Sequence, residues 1–192
     1  MLDSLVVSDE LSHVPLPHSL ARGCLEVFTG EGKGKTSAAL GVALRAVGHG
    51  LRVYIVFFMK GAFPYGEQKV LVTLPTVTVA RFGFEEFVDP ANVKPEEKEE
   101  AHKALDAART AMLSLNYDVV ILDEVNVAAS WKLIDVEEVL KLINQRPENV
   151  ELILTGRNAD PRVVEKADLV TMMVKVKHPY DKGVLARKGI DY

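Results

Sequence analysis

The chain of 192 residues has little of what several protein classes need. Its single cysteine, Cys24, excludes a disulfide within the chain and suits a reducing compartment. The longest apolar run, Val53 to Met59, is far shorter than the roughly 20 residues that span a bilayer. The first eleven residues lack a basic start and carry Asp3, Asp9 and Glu10, which is not the pattern of a secretory signal. We therefore expect a cytoplasmic protein with no membrane partner.

Excess positive charge is also missing. The 23 Lys and Arg residues are outnumbered by 27 Asp and Glu residues, which gives a net charge of -4. No overall field attracts nucleic acid, and we expect no nucleic-acid partner. The hydrophobic share of 48% and the charged share of 26% are those of one globular domain with a substantial core.

A glycine- and lysine-rich segment stands between an apolar stretch, Leu25 to Phe28, and a helix-like run, Ala38 to Val47. Strand, glycine-rich loop and helix are the parts of a phosphate-binding loop (P-loop), in which backbone N–H groups and the helix N-terminus bind an anion. The first glycine comes one position later than in the common pattern, which has glycine where this chain has Thr29. The flanking elements disfavour a solvated turn. The candidate nucleotide-binding residues are Gly30, Glu31, Gly32, Lys33, Gly34, Lys35, Thr36 and Ser37.

Within this loop, the residue types predict their partners. Lys35 can reach the outer phosphates of a nucleoside triphosphate, and the Thr36 hydroxyl can ligate Mg²⁺. We expect only ligand and solvent to contact the Lys35 ammonium group. The loop therefore predicts a protein that binds a nucleoside triphosphate.

The rest of the chain predicts an α/β fold. Residues 1–24 are interrupted by Pro15 and Pro17, and we interpret them as an N-terminal arm, with a frayed tail as the alternative. Residues 25–192 alternate strands with helices, which predicts a P-loop NTPase-like domain with a mainly parallel central sheet flanked by helices. The later predicted strands are Val53 to Met59, Val77 to Arg81, Val119 to Leu122, Val150 to Leu154 and Leu169 to Val176. The later predicted helices are Pro95 to Leu115, a capped helix from Asp135 to Leu142, and Pro161 to Ala167.

Two carboxylates, Asp123 and Glu124, end the predicted strand Val119 to Leu122. In a P-loop protein this is where an acidic residue supports Mg²⁺, directly or through water. The two side chains point in different directions, so we expect one to face the ion and the other to support it. Spacing alone leaves open which does which.

Several segments together carry a more specific pattern. They are Gly30 to Thr36, Arg45 to Gly50, Leu122 to Glu124, Asn144 to Pro147, Thr155 to Arg157, and the ending from Val176 to Tyr192. In order and spacing they resemble the P-loop type of ATP:corrinoid adenosyltransferase, a family of enzymes that make adenosylcobalamin. The resemblance covers about residues 25–192 and implies a P-loop α/β domain that forms a homodimer.

The resemblance also implies the chemistry. In this family a Co(I) corrinoid, such as cobalamin, attacks C5′ of ATP and triphosphate leaves. Residues 30–36 would hold the phosphates and Arg45 would contact a nucleotide phosphate. The catalytic residues would be Lys35, Thr36 and Glu124, which stabilise the leaving group and Mg²⁺ without forming a covalent bond. A reductase or flavin would supply the reductant.

On the corrinoid side the chain departs from the family pattern, Gly-Phe-Thr-Trp, in which an aromatic pair packs on the corrin. Here Gly83 is followed by Phe84, Glu85, Glu86 and Phe87, so Phe84 matches and Glu86 stands where tryptophan would. Phe87 can take that place if the loop shifts by one residue. Plain packing of both phenylalanines onto the core is the alternative.

Other residues and functions stay open at this level. The segment Lys60 to Glu67 lines the site or is a surface turn, and His178 is a site residue or a structural one. Trp131 is a core or interface residue. The alternative functions are a P-loop NTPase or phosphotransferase that acts on the γ-phosphate, and a non-catalytic carrier of nucleotide or corrinoid.

Overall fold

A computed structural model describes residues 20–61 and 64–192. Within them, six strands form one sheet in the order β3-β2-β4-β5-β1-β6, and every neighbouring pair is parallel. The strands are β1 (Leu25–Thr29), β2 (Val53–Phe57), β3 (Val77–Arg81), β4 (Val119–Asp123), β5 (Glu151–Thr155) and β6 (Leu169–Met172). The helices are α1 (Lys35–Gly48), α2 (Gly66–Leu71), α3 (Pro95–Leu113), α4 (Val125–Ser130), α5 (Val136–Asn144) and α6 (Pro161–Lys166).

Helices cover both faces of the sheet, which is why β4 is buried along its whole length. On one face, alanines of α1 pack against Phe28, Ile55 and Ile121. On the other, α3 and α5 pack against Val27, Val56 and other residues of the central strands. The small alanine side chains allow α1 and α3 to approach the sheet closely. The sequence prediction of a P-loop NTPase-like α/β fold with a parallel sheet is confirmed.

The predicted helix ends agree with the structure where the sequence carries a cap. Asp135 accepts a hydrogen bond from the Glu137 N–H, and Glu138 completes the capping box at the start of α5. Pro95 is the first residue of α3. The last strand was predicted too long, because β6 ends at Met172 and the chain then turns along the phosphate loop.

The N-terminal arm predicted for residues 1–24 lies mostly outside the described residues. Its last two residues join the domain at the start of β5. The Gly23 N–H donates to the Glu148 carbonyl (2.7 Å), and the Cys24 N–H donates to Oε2 of Glu151 (2.6 Å). Gly23 and Cys24 are therefore hydrogen-bonded to the domain.

Candidate active site

The glycine-rich loop joins β1 to α1 at the carboxyl edge of the sheet. Gly30 and Gly34 have φ angles of 94° and 119°, which favour glycine. A Cβ on Gly30 would lie 2.5 Å from the Met173 carbonyl oxygen, so a side chain there is also excluded by contact. The Gly32 N–H donates to the same carbonyl (2.7 Å). The loop is thus fixed to the chain that follows β6.

Lys35 begins α1 and its side chain folds back across the loop. Nζ donates to the carbonyl oxygens of Gly30 (2.8 Å) and Gly32 (2.7 Å). Burial lowers the pKa of Lys35, and the nearby carboxylate of Glu124 opposes that shift. The expectation that only ligand and solvent contact this ammonium group was wrong, because the loop carbonyls lie within its reach. The same contacts hold the positive charge at the centre of the loop.

Asp123 and Glu124 take different positions at the end of β4. Asp123 is buried, and its two oxygens accept hydrogen bonds from Nζ of Lys60 (2.6 Å) and Oγ1 of Thr155 (2.7 Å). Glu124 instead lines the cleft beside the loop. Burial, reinforced by Asp123, raises the pKa of Glu124, and Lys60 and Lys35 oppose that shift. Of the two carboxylates, Glu124 is the one that faces the cleft.

Glu124 has an unusual backbone conformation. Its φ of 66° and ψ of 16° are left-handed, although it has a side chain. For a residue with a side chain this conformation costs roughly 1–2 kcal/mol. It turns the chain sharply from β4 into α4. Strain of this kind persists where the surroundings hold the residue in place.

A cleft of about 910 Å³ opens above the loop. The phosphate loop lines it, Thr36 and Ser37 included, together with Val127 of α4 and the two residues that flank this helix, Glu124 and Trp131. Phe87, Val88 and several residues between His178 and Tyr192 also line it. Lys60 and Tyr65 also line it, in agreement with one of the two interpretations of their segment. One cavity therefore offers cationic and acidic groups together with aromatic and aliphatic groups.

The two remaining charged residues of the loop contact protein groups. Nζ of Lys33 donates to the Ile190 carbonyl (2.9 Å) and pairs with Asp191, whose pKa this contact and Arg187 hold well below its usual range. Glu31 lies 3.7 Å from Nε of Arg157. Both lysines of the loop were predicted to bind nucleotide. Only Lys35 points to the loop centre, and Lys33 anchors the segment before Tyr192.

Arg45 does not lie near the phosphate loop. It is in the last turn of α1, about 15 Å along the helix from Lys35 at 1.5 Å per residue, and is exposed. It acts electrostatically on Glu26, in the first half of β1. Helix α1 carries Arg45 toward the opposite edge of the sheet from the loop, and its contact with a nucleotide phosphate stays a prediction.

The two candidate corrinoid residues are separated. Phe87 lines the main cleft, whereas Phe84 lines a small adjoining cavity with Glu97 and Ala101, and Met59 and Val88 line both. Both side chains are exposed, by 47% for Phe84 and 79% for Phe87, which is not the burial of core residues. Of the pair, Phe87 is the one in position to contact a ligand in the cleft.

Sequence reasoning assigned no role to two groups at the site, although Thr155 begins one of the segments that resemble the family. Thr155 ends β5, the strand between β1 and β4, and its hydroxyl contacts both Asp123 and Glu124. The C-terminal wall of the cleft was seen only as a family-like ending. The signal for Thr155 was its place at a strand end, directly before Gly156.

A glycine-rich loop between β1 and α1, with a cleft-facing carboxylate after a buried strand, defines a P-loop nucleotide-binding protein. The sequence model of the family "ATP:corrinoid adenosyltransferase BtuR/CobO/CobP" matches residues 21–192. The chain therefore belongs to the ATP:corrinoid adenosyltransferase family, and the resemblance read from its motifs is confirmed. Members of this family are transferases, and so is this chain.

Individual relatives can be aligned with this chain along most of their length. The corrinoid adenosyltransferase of Escherichia coli (strain K12) is 37% identical over 171 residues, which cover 89% of this chain and 86% of the relative. Corrinoid adenosyltransferase CobA of Salmonella typhimurium is 36% identical, with the same shares covered. The corrinoid adenosyltransferase of Pseudomonas aeruginosa is 35% identical, covering 89% of this chain and 84% of the relative.

Proposed function

We propose that this enzyme transfers the 5′-deoxyadenosyl group of ATP to the Co(I) centre of a corrinoid, in the biosynthesis or salvage of adenosylcobalamin. The electron pair of Co(I) forms the bond to C5′. The bond between C5′ and the triphosphate oxygen breaks, and triphosphate leaves with the electron pair of that broken bond. The observation that carries the proposal is the single cleft, which joins a phosphate loop to a wall of aromatic and aliphatic side chains.

The phosphate end stabilises the leaving group. Negative charge grows on triphosphate as the bond to C5′ breaks, so cations fixed beforehand lower the barrier. Lys35 is held at the centre of the loop by two carbonyl oxygens and has no long side-chain rearrangement to make. N–H groups of the loop other than that of Gly32, which donates to the Met173 carbonyl, would supply further donors. No protein nucleophile is required, because the corrinoid brings its own.

The donor atoms at this end suit Mg²⁺. The described part of the chain holds no cluster of three His, Cys, Asp or Glu side chains able to bind a metal by themselves. Mg²⁺ is commonly held by one or two protein oxygens together with substrate phosphates. The Thr36 hydroxyl and the Glu124 carboxylate, which both line the cleft, would hold it, with Asp123 in support behind Glu124. The ion would neutralise charge on the triphosphate.

The aromatic and aliphatic part of the cleft lining would receive the corrinoid. Phe87 offers an exposed aromatic face there, and Trp131, the only tryptophan, lies on the same side of α4 as Glu124 and Val127. A flat macrocycle buries more apolar area against such rings than against polar loops. Phe87 is thus proposed as the residue that packs on the corrin.

The proposal includes partners outside the chain. Co(I) requires an electron donor, so a reductase or a reduced flavin would precede the transfer. A homodimer and a cytoplasmic location follow from the family resemblance and the cysteine content. Within residues 20–61 and 64–192, none of the helices is long and apolar enough to cross a membrane.

The test is to identify the products. The protein is incubated with ATP, Mg²⁺ and cobalamin reduced chemically to Co(I), and products are separated by chromatography. Adenosylcobalamin and intact triphosphate in equal amounts are expected. Orthophosphate or ADP would instead indicate a γ-phosphate enzyme, and binding without any product would indicate a carrier. Lys35→Ala, assayed in parallel, excludes a contaminating activity.

A further inference from the structure

Thr155 connects the Asp123 carboxylate to the backbone of Glu124 at the end of β4. Its hydroxyl donates to Oδ1 of Asp123 (2.7 Å) and accepts from the backbone N–H of Glu124 (3.0 Å). Thr155 is fully buried. A hydroxyl has one proton, so donation to Asp123 turns its lone pairs toward Glu124.

The direction of that hydroxyl is fixed by a further contact. The second oxygen of Asp123 accepts from Nζ of Lys60 (2.6 Å), and the Lys60 ammonium also lies 5.0 Å from the centre of the Tyr65 ring. Side-chain exposure is 12% for Lys60 and 1% for Asp123. The Asp123 carboxylate therefore cannot rotate without losing two buried hydrogen bonds.

Glu124 is the residue that needs such a support. Its left-handed conformation is rare for a residue with a side chain, and it is what turns the carboxylate into the cleft. Its backbone N–H donates to the Thr155 hydroxyl. β5 carries Thr155 to this point because it lies between the loop strand β1 and the acidic strand β4.

We propose that Thr155 is a positioning residue: together with Asp123 and Lys60 it holds Glu124 in the left-handed conformation that aims its carboxylate at the phosphate loop. This inference rests on the proposed role of Glu124 at the metal–triphosphate end. It assigns Thr155 no contact with substrate. It also explains why Asp123 is buried beneath the cleft while Glu124 lines it.

The test compares Thr155→Val, which keeps the shape and removes the hydroxyl, with Thr155→Ser, which keeps the hydroxyl. ATP binding is measured by calorimetry over a series of Mg²⁺ concentrations without corrinoid, so that no turnover occurs. Thr155→Val should raise the half-saturating Mg²⁺ concentration at least fivefold, with ATP binding in the absence of Mg²⁺ unchanged. Thr155→Ser should stay within twofold of the wild type.

A second readout reports on the backbone directly. Exchange of the Glu124 amide proton, followed by NMR on ¹⁵N-labelled protein, should accelerate in Thr155→Val and not in Thr155→Ser. If Thr155→Val does not fold, Thr155→Ala takes its place, because it removes the same hydroxyl. The results expected for Thr155→Val then apply to Thr155→Ala. A protected Glu124 amide or an unchanged Mg²⁺ dependence in the hydroxyl-free variant would overturn the inference.

Glu124→Gln separates this inference from the function on which it rests. A raised Mg²⁺ requirement in Glu124→Gln, together with no change in Thr155→Val, would overturn the positioning role alone. An unchanged Mg²⁺ requirement in Glu124→Gln would overturn the proposed role of Glu124 and the inference with it.

Discussion

Phe84 and Phe87, three residues apart, line two adjoining cavities that share Met59 and Val88. Phe87 lines the cleft above the phosphate loop, and Phe84 lines a small cavity with Met59, Glu97 and Ala101. The family pattern pairs a phenylalanine at the first position with a tryptophan two residues later. In this chain the cleft-facing aromatic residue comes one position after that.

Phe87→Ala should slow adenosylation when Co(II) cobalamin is supplied with a mild reductant. The loss should be much smaller with Co(I) supplied already reduced, because Co(I) has shed its axial ligands before it binds. The roughly tenfold difference expected between the two assays corresponds to about 1.4 kcal/mol of differential binding. Since Phe87 is 79% exposed, its removal should leave thermal stability unchanged.

Phe84→Ala is the matched control for that experiment. It removes the same side chain three residues earlier and should retain nearly full activity in both assays. A larger loss from Phe84→Ala than from Phe87→Ala would mean that the loop adopts another arrangement when corrinoid binds. Glu86→Trp, which restores the family residue, should change little if Phe87 already fills the aromatic role.

Lys35→Ala should abolish adenosylation, because the ammonium group at the centre of the loop is lost. Two hydrogen bonds to loop carbonyls are lost as well, so stability should fall by about 1–2 kcal/mol in urea unfolding. Lys33→Ala is the control within the same loop. Its ammonium group contacts Ile190 and Asp191, so this variant should bind ATP with less than a tenfold loss. Equal losses of ATP affinity in the two variants would contradict the assignment.

Thr36→Ala should act through the metal. The hydroxyl is the proposed Mg²⁺ ligand at the start of α1, and its loss should raise the Mg²⁺ concentration needed for half-maximal activity. Thr36→Ser keeps the hydroxyl and serves as the control. An Mg²⁺ titration that is identical in wild type and Thr36→Ala would remove Thr36 from the proposed ligands.

Lys60→Met should destabilise the fold by about 3 kcal/mol, because it leaves the buried Asp123 carboxylate without its counter-ion. Burial alone lowers the pKa of Lys60, but Asp123 and Glu124 outweigh it, so the net pKa lies above its usual value. The double variant Lys60→Met with Asp123→Asn removes both charges and should be about 1–2 kcal/mol more stable than Lys60→Met. Urea unfolding measures the stability of the single and of the double variant. If the double variant is no more stable than Lys60→Met, water reaches the Asp123 carboxylate in the single variant.

Glu26 should make stability depend on pH. Burial, a hydrogen bond with Glu151 and the charge of Glu151 raise the pKa of Glu26 to about 7 from 4.5, and Arg45 opposes the shift. The folded state then binds more protons than the unfolded state between these values. Its stability should therefore fall as pH rises from about 4.5 to about 7 and level off above.

Glutamine cannot ionise, so the Glu26→Gln variant should lose the part of the pH dependence of stability that Glu26 causes. Unfolding in urea at pH 5 and at pH 8 measures the difference between the variant and the wild type, which should grow toward pH 8. Arg45→Ala should extend the fall in stability to higher pH, because Arg45 lowers the pKa of Glu26. Parallel pH profiles for wild type and Glu26→Gln would contradict the assignment.

The sheet could be predicted from the sequence because each strand is an apolar run that leads into turn residues. The loop and α5 could be predicted because glycines and a capping box have local causes. Helices α2 and α4 were not predicted, since six residues give too little periodicity to distinguish them from a loop.

The parts of the site that escaped prediction depend on distant residues. Lys33 contacts Asp191, and Thr155 contacts Asp123, across many residues of sequence. Arg45 was carried over from a family motif, and only the length and direction of α1 place it at the other edge of the sheet. The spacing of neighbouring residues in the sequence does not predict where Lys33, Thr155 and Arg45 lie in the fold.

The position of β1 has a consequence for how the protein folds. Both neighbours of this strand, β5 and β6, come near the other end of the chain, and 127 residues separate Cys24 from its partner Glu151. Parallel pairing over such separations slows folding, because a long loop must close before any contact forms. During synthesis the glycine-rich loop leaves the ribosome before β5 and β6, the two strands that pair with β1. Refolding followed by fluorescence of an ATP analogue should thus report a late step, after β2, β3 and β4 have paired.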